Sequence, residues 1–262
     1  MSDRKTPMSL QLATTAVNAA LYAGVGAIWL TFPLLLFGVR FWPPVFVPAV
    51  FGVLFGPWVG GIGAAVGIFL ADMIYGHHDP LLSFLVGVPS NFLGFYIIGW
   101  MTRRGDTGLI KRMFLTLSLV IQPAFAIALA YGVYLVFGTM GFEGPQFIAG
   151  IAGLIVVIAI LALTALRNRW ADFEIAASIG LAVGTFIIGL GIVIYSAIFG
   201  LPVAVGLGTK PLAAAYIYVI TSSNYFSEIP FLVILTPPVI AACRAAFPSL
   251  RIASSPKGAK QS

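Results

Sequence analysis

The chain contains 262 residues, of which 60% are hydrophobic and only 8% are charged, with 14 Lys and Arg against 8 Asp and Glu. A soluble domain carries roughly a quarter of its residues as charged side chains, so this composition excludes a soluble globular fold. The mean hydropathy of the chain, +1.04, indicates that most of it lies in a lipid bilayer.

Apolar runs recur along the chain from Leu12 to Phe247. Most are about 20 residues long, which is the length that crosses a ~30 Å hydrocarbon core as a helix. The strands of a membrane barrel would alternate apolar and polar residues, and the runs show no such alternation. We therefore predict an all-α, polytopic transmembrane helical bundle with six to eight spanning segments. The eight candidate segments are 12–37, 43–56, 57–75, 80–101, 111–138, 146–166, 173–199 and 211–247.

The first segment follows Arg4 and Lys5, as the apolar core of a signal peptide would. At about 26 residues it is longer than a signal core of 7 to 15 residues, so we expect a retained helix. Alanines at alternating spacings of three and four form a stripe beside Gly24, and small residues let helices approach closely in lipid. The stripe is interpreted as a contact for a partner subunit or for a neighbouring helix. Its members are Ala13, Ala16, Ala20, Ala23 and Ala27.

The second segment, 43–56, is too short to span comfortably. It is expected either to cross the membrane or to form a re-entrant hairpin with 57–75. The third segment carries a second stripe of small residues, which predicts close packing within the protein or against another subunit. This stripe consists of Gly60, Gly63, Gly67 and Ala71.

Basic residues near the ends of spanning helices are retained on the cytoplasmic side. Four groups satisfy this rule with both termini inside and leave Arg40 and Lys210 in external loops. The net positive charge of +6 is therefore explained by the topology in the membrane, and we assign it no role in binding nucleic acid. We predict one transmembrane domain over 1–248 and a basic, disordered cytoplasmic tail over 249–262. The four groups are Arg4 and Lys5; Arg103, Arg104, Lys111 and Arg112; Arg167 and Arg169; and Arg244, Arg251, Lys257 and Lys260.

Polar residues inside apolar segments are the candidates for a site, because lipid excludes them unless they have a function or a partner. Asp72 lies near the predicted outer end of the third segment, and Asn91 lies within the fourth. His77 and His78 precede Asp79 in a short loop, but adjacent residues cannot all face one ion. No metal site is predicted. The single cysteine, Cys243, excludes an intrachain disulfide.

The densest polar cluster, TSSNYFSEIP over 221–230, lies within the last apolar region. A continuous helix would place Asn224 and Glu228 inside the membrane, and the serines and proline would also permit a broken helix. Alternatively, 221–227 is an external loop after an interfacial helix, and the span is 228–247. Each arrangement places the cluster in the membrane or at its outer face.

Two roles are open for Arg40 and Lys210. In the first, they form ion pairs with external acids such as Asp79 or Glu143, and such pairs contribute little to stability when they are exposed to solvent. If instead they converge on one cavity with Trp42, they favour an anionic or aromatic ligand. The predicted ligand-binding residues are Arg40, Trp42, Asp72, Asn91, Asn224 and Glu228, with Tyr96 as a further lining residue.

Residues 40–71, RFWPPVFVPAVFGVLFGPWVGGIGAAVGIFLA, follow an alanine-striped helix and contain a Phe-Gly-Pro turn that opens a Gly-rich helix. Residues 87–104, GVPSNFLGFYIIGWMTRR, form an Asn-Phe-Leu-Gly helix that ends in basic residues. This first part of the chain resembles the substrate-binding membrane subunits, or S components, of energy-coupling factor transporters. The resemblance implies capture of a vitamin-like small molecule at the outer side. It also implies partners: an energy-coupling transmembrane subunit, docked on the alanine stripe, and ATP-binding subunits.

The chain has no GxxxxGK[ST] phosphate-binding loop, so any ATP hydrolysis must come from another chain. No catalytic residue and no cofactor are predicted. Two alternatives stay open. One is a self-sufficient secondary transporter or channel. The other is an intramembrane enzyme in which Asp72, His78 and Glu228 meet on a lipid-linked substrate.

Overall fold

A computed structural model describes residues 7–30, 35–36, 39–40, 42–104, 109–137, 152–153, 155–156, 159, 170–205, 207–208 and 210–247. The structure is helical apart from a two-residue antiparallel pair, β1 (Leu35–Leu36) and β2 (Val39–Arg40), with Leu35 opposite Arg40. The helices are α1 (Met8–Leu30), α2 (Phe46–Phe55), α3 (Pro57–Ile74), α4 (Pro80–Leu82), α5 (Val88–Arg104), α6 (Leu109–Phe137), α7 (Ala171–Ile198) and α8 (Tyr216–Ala246). Short 3-10 turns cover Pro43–Val45 and Val203–Val205, and a π-helical turn, Ser83–Gly87, joins α4 to α5.

Four stretches are long and apolar enough to cross a membrane: Pro57–Ile74, Pro80–Arg103, Ala171–Ile198 and Tyr216–Ala246. The predicted all-α membrane bundle is therefore confirmed. Helices α1 and α6, with 23 and 29 residues, also reach the length of about 20 that a span requires. The sixth predicted segment, 146–166, and the tail, 249–262, lie largely or wholly outside the described residues.

The second predicted segment is a half-length helix. Its ten residues, α2, extend about 15 Å, half of a hydrocarbon core. Its start lies beside Trp42, which contacts the middle of α1 through Tyr22. Its end is the turn at Gly56, which lies against Arg103. The chain therefore forms a hairpin of α2 and α3 with its tip at the end of the bundle that carries Arg103. We call this the Arg103 end, and the opposite one the Asp72 end.

Glycine is required at the tip of this hairpin. Gly56 has a φ of +121° and a ψ of 167°, a backbone conformation that is essentially restricted to glycine. An added Cβ would also lie 2.6 Å from the Arg103 guanidinium. Pro57 follows as the first residue of α3, where a missing backbone N–H costs nothing.

The small-residue stripe of α3 packs within the protein. A Cβ on Gly60 would lie 2.7 Å from the Cα of Gly52 in α2, and Gly63 faces the side chain of Asn18 in α1. Asn18 is fully buried and donates a hydrogen bond of 2.9 Å to the carbonyl of Val59. Of the two predicted uses of this stripe, the structure supports the intramolecular one.

The alanine stripe of α1 is divided between two faces. Ala13, Ala16 and Ala20 are exposed, as is Gly24, which has no atom within 4 Å of a built Cβ. Ala23 is only 7% exposed and belongs to the core, and Ala27 is partly buried. The prediction of one continuous stripe is therefore wrong at Ala23. At about 100° per residue, Ala23 lies roughly 100° around the helix from Gly24 and turns inward.

Helix α8 is continuous over its 31 residues, so the external-loop and broken-helix interpretations of 221–227 are wrong. Two of the polar side chains inside it bond to carbonyls of their own helix. Asn224 donates to the carbonyl of Ile220 at 2.8 Å, and the Ser227 hydroxyl donates to that of Asn224 at 2.9 Å. Such local bonds satisfy polar groups without interrupting a helix in lipid. The helix lies at the centre of the bundle, against α2, α6 and α7.

Candidate functional site

A cavity of about 170 Å³ opens inside the bundle. Side chains of α1, α3, α5, α7 and α8 line it, together with Trp42 and parts of the connection between α7 and α8. Its walls are mostly apolar, with a few polar groups, as is usual for sites that bind small organic molecules. The polar and aromatic lining residues are Tyr22, Trp42, Asp72, His77, Ser90, Asn91, Phe95, Thr185, Asn224 and Glu228.

Five of the six predicted ligand-binding residues line this one cavity: Trp42, Asp72, Asn91, Asn224 and Glu228. They come from three helices and from the residue before the first 3-10 turn, and the structure brings them together. For the sixth, Arg40, the described backbone lies in β2, while its side chain lies outside the described residues.

Two further candidates for the lining lie outside this cavity. Tyr96 does not line the cavity, because its ring packs on Trp58 and Phe92, with centroids 5.1 and 5.7 Å away. Lys210 is exposed and is not a lining residue either. Both residues lie on elements that also contribute to the cavity or its cover, so side-chain direction rather than sequence position excludes them.

Glu228 occupies the interior of the bundle. It lies twelve residues into α8, roughly 18 Å along the helix axis, and is 7% exposed. No residue in the described part of the chain donates a hydrogen bond to its carboxyl group or forms an ion pair with it. An ionisable group at this depth is costly and is usually tied to function. Of the two carboxyl groups that line the cavity, Glu228 is therefore the one without a partner in the described part of the protein.

A hydrogen-bonded chain builds one wall of the cavity. The indole Nε1 of Trp42 donates to the hydroxyl of Tyr22 at 2.9 Å, and that hydroxyl donates to Oδ1 of Asn91 at 2.8 Å. Nδ2 of Asn91 then donates to the carbonyl of Gly87 at 3.0 Å. The ring of Tyr22 meets those of Trp42 and Phe95 edge to face, each with centroids 6.1 Å apart. These contacts hold the aromatic rings and the Asn91 amide in one orientation.

The π-helical turn Ser83–Gly87 shapes the neighbouring wall. It brings the Ser83 hydroxyl within 2.8 Å of Oδ2 of Asp72, to which it donates. It also places Gly87, whose carbonyl accepts from Ser90 and Asn91, at the edge of the cavity. Such turns occur frequently at functional sites. The sequence carried no recognisable signal for this turn or for the role of Tyr22.

Asp72 and His77 lie at the Asp72 end of the cavity. Nε2 of His77 is 3.4 Å from Oδ2 of Asp72, while Nδ1 accepts from the backbone N–H of Asp79 at 3.0 Å. Because Nδ1 accepts, the proton of a neutral imidazole is on Nε2, which faces Asp72. The Nδ1 atom of His78 instead lies 2.7 Å from the carbonyl of Met73, and His78 is not a lining residue. Within the described ranges, no group of three His, Cys, Asp or Glu residues could hold a metal ion.

The connection between α7 and α8 covers the Asp72 end, and we call its described residues 199–205, 207–208 and 210–213 the cover. Its Val205 and Leu207 line the cavity and pack with an apolar cluster that includes Leu82, Val86 and Leu201. Two hydrogen bonds fasten this region to its surroundings. Tyr195, at the end of α7, donates to Oδ2 of Asp79 at 2.7 Å, and the N–H of Leu212 donates to the hydroxyl of Ser196 at 2.9 Å.

The carboxyl group of Asp79 has a structural role. It accepts hydrogen bonds from the backbone N–H groups of Leu81 and Leu82 at the start of α4, as well as from Tyr195. Partial burial raises its pKa, but the bonds from Tyr195 and the two N–H groups outweigh that effect and hold the pKa below its ordinary value. The described partners of Asp79 are therefore the start of α4, which it caps, and Tyr195.

In comparisons with known proteins, no family model, curated protein or solved structure matches the chain. The resemblance to S components stays a prediction.

Proposed function

We propose that this chain is the substrate-capture subunit of an ATP-driven importer of a small, vitamin-like organic molecule. The observation that supports this most strongly is the cavity that gathers Trp42, Asp72, Asn91, Asn224 and Glu228 inside a membrane bundle. A buried, mixed polar and aromatic cavity, with an acid that has no partner among the described residues, suits binding of a small molecule from one side of a membrane. The ligand-binding residues are these five, joined by Tyr22 and His77.

The size of the cavity limits the ligand. Its volume of about 170 Å³ is close to that of an engineered protein cavity, about 150 Å³, that accommodates benzene. A molecule, or the part of it that enters, is therefore about one ring in size. The cover, with its apolar cluster around Leu82 and Leu201, would close over such a ligand and exclude water.

The orientation in the membrane follows from charge. Arg103, in the last turn of α5, marks the cytoplasmic side by the positive-inside rule, together with the other basic groups of the chain. The Asp72 end and the cover then face outward, where capture begins. The membrane is the plasma or inner membrane, crossed several times, with both termini in the cytoplasm.

The energy comes from partner chains, because this sequence has no phosphate-binding loop for ATP. The small-residue face formed by Ala13, Ala16, Ala20 and Gly24 supports docking of an energy-coupling transmembrane subunit, since it is exposed and permits close helix approach. ATP-binding subunits would act through that subunit. We assign no catalytic role, and the enzyme hypothesis loses its support because His78 does not join Asp72 and Glu228 in the cavity.

The test is purification of the full chain from its native membrane in mild detergent, with identification of the small molecules and proteins that accompany it. We expect one enriched small organic molecule, together with a multi-spanning membrane protein and ATP-binding subunits. Ligand-dependent uptake by vesicles that contain the purified chain alone, without ATP, would instead indicate a self-sufficient transporter. A preparation with neither ligand nor partners contradicts the proposal.

A further inference from the structure

The polar groups that line the cavity are unequally divided between hydrogen-bond donors and acceptors. Two carboxyl groups, those of Asp72 and Glu228, line it, and none of its described lining residues is Lys or Arg. A ligand anion would therefore meet two acids, with His77 as the single titratable base among those residues. The anionic ligand that Arg40 and Lys210 suggested in the sequence is not favoured by this lining.

Each hydroxyl, amide and indole donor group of the lining already makes at least one hydrogen bond to the protein itself. The N–H of Trp42 donates to the Tyr22 hydroxyl, and the O–H of Tyr22 donates to Asn91. The remaining hydroxyl and amide groups each donate to a backbone carbonyl three or four residues earlier in the chain. The bonds are Trp42 to Tyr22, Tyr22 to Asn91, Asn91 and Ser90 to Gly87, Thr185 to Ala182, and Asn224 to Ile220. The cavity thus has acceptors available in excess of donors, so its ligand should be a donor.

The carboxyl groups of Asp72 and Glu228 differ in the partners that the protein supplies to them. Asp72 accepts from the Ser83 hydroxyl and lies within 3.4 Å of His77. Glu228 has no such neighbour among the described residues, although it is just as deeply buried. A buried carboxylate that lacks a cation or donors is strongly unfavourable, and a cation that donates hydrogen bonds to it offsets part of that penalty.

The aromatic residues supply the second requirement of a cation site. Trp42, Tyr22 and Phe95 pack edge to face along one wall, and their ring surfaces attract positive charge as well as apolar rings. The indole N–H of Trp42 donates to the Tyr22 hydroxyl, and that hydroxyl donates to Asn91. Because these polar atoms already have partners, Trp42 and Tyr22 present mainly ring surface to a ligand.

We infer that the ligand is a monocyclic organic cation, a single ring that carries a protonated amine, with its ammonium group on Glu228 and its ring against Trp42, Tyr22 and Phe95. This inference rests on the proposed function for the claim that the cavity is the capture site, and it adds the chemical class of the substrate.

Three probes of nearly equal size and different charge test the inference: benzylamine, benzyl alcohol and benzoate. Each is titrated calorimetrically, near neutral pH, into the full-length protein in lipid nanodiscs. We expect benzylamine to bind at least about tenfold more tightly than either of the others, because its ammonium donates to a buried carboxylate. Equal or tighter binding of the alcohol or the acid overturns the inference, as does the absence of binding by all three.

A pair of matched variants locates the effect. Glu228→Gln should reduce benzylamine binding at least about tenfold, to the level of benzyl alcohol. Glu174→Gln removes another buried glutamate, one that does not line the cavity, and should leave the preference for the amine unchanged. A preference that survives Glu228→Gln overturns the inference. Identification of the small molecule that co-purifies with the protein tests the two proposals separately. A co-purified ligand without a basic nitrogen overturns this inference and leaves the importer proposal standing.

Discussion

At the scale of single residues, the site depends on which polar side-chain atoms have hydrogen-bond partners within the protein. Tyr22 links two of them, since its hydroxyl accepts a hydrogen bond from Trp42 and donates one to Asn91. Its ring is almost completely buried, at 1% exposure. The loss of one oxygen atom would therefore leave the buried Trp42 and the partly buried Asn91 without this bond and would release the aromatic wall of the cavity.

Tyr22→Phe tests this balance. We expect it to lower the free energy of unfolding by about 1 to 2 kcal/mol, because the Trp42 N–H and the Asn91 oxygen lose their partner. The control is Tyr96→Phe, whose ring packs on Trp58 outside the cavity and which should cost less than about 0.5 kcal/mol. The comparison requires thermal unfolding of both variants in the same detergent. Equal losses would show that the chain of bonds contributes nothing special.

Asp79 gives a prediction for pH. Because its pKa is lower in the folded protein than in the unfolded chain, its ionised form stabilises the fold above the ordinary value of 3.8. That contribution is lost as the pH falls from about 3.8 through the lower folded pKa. We expect the unfolding temperature to fall with acidification in this range, and to fall less steeply in Asp79→Asn. Parallel curves for the two proteins would contradict the role of Asp79 as a charged cap.

At the scale of elements, the hairpin of α2 and α3 determines where Trp42 lies. Because α2 has only ten residues, its start lies beside the middle of α1 rather than at the Asp72 end. Trp42, which precedes the 3-10 turn, is thereby placed against Tyr22 in the cavity. The tip of the hairpin at Gly56 must then reach Arg103, so the position of the tip and that of Trp42 are linked.

Gly56→Ala should destabilise the protein by about 1 to 3 kcal/mol, because alanine is strained at this φ and ψ and its methyl group would displace Arg103. Gly24→Ala makes the same chemical change at an open helical position and should not destabilise it. Unfolding temperatures of the two variants in nanodiscs provide the measurement. A tolerant Gly56 would indicate that the hairpin tip can adopt another conformation.

At the scale of the whole molecule, the exposed surface divides into apolar faces and the small-residue face of α1. Large side chains such as Ile127, at 70% exposure, and Ile198, at 65%, project outward as lipid-facing residues do. The small-residue face carries Ala13, Ala16, Ala20 and Gly24, with Val17, at 50% exposure, among them, and its small residues suit close contact with another helix.

Ala20→Leu tests this face as a docking surface. A leucine there should prevent close approach, and we expect at least about a tenfold loss of co-purified coupling and ATP-binding subunits, with ligand binding intact. Ala124→Leu enlarges an exposed alanine of α6 and should leave the complex unchanged. Quantitative mass spectrometry of the purified complexes measures both. Full recovery of partners with Ala20→Leu would remove α1 from the interface.

Residence in lipid and most helix positions could be predicted from the sequence alone. The predicted segments 57–75 and 173–199 correspond to Pro57–Ile74 and Ala171–Ile198, since an apolar run bounded by polar or proline residues is a local property of the chain. The candidate polar residues were also recognisable locally, because lipid excludes Asp72, Asn91 and Glu228 unless they have a purpose.

Only the tertiary structure decided which of these residues meet. The rotation of each helix about its axis and its depth in the bundle depend on close contacts such as that of Gly60 with Gly52. These contacts bring Trp42, Asn91 and Glu228 to one cavity. They also turn Ala23 into the core and Tyr96 away from the cavity. The bond from Tyr195 to Asp79 joins residues 116 positions apart. No local pattern encodes such a contact, because it depends on the packing of every helix between the two residues. For the same reason the excess of acceptors around Glu228 emerged only when the helices were assembled.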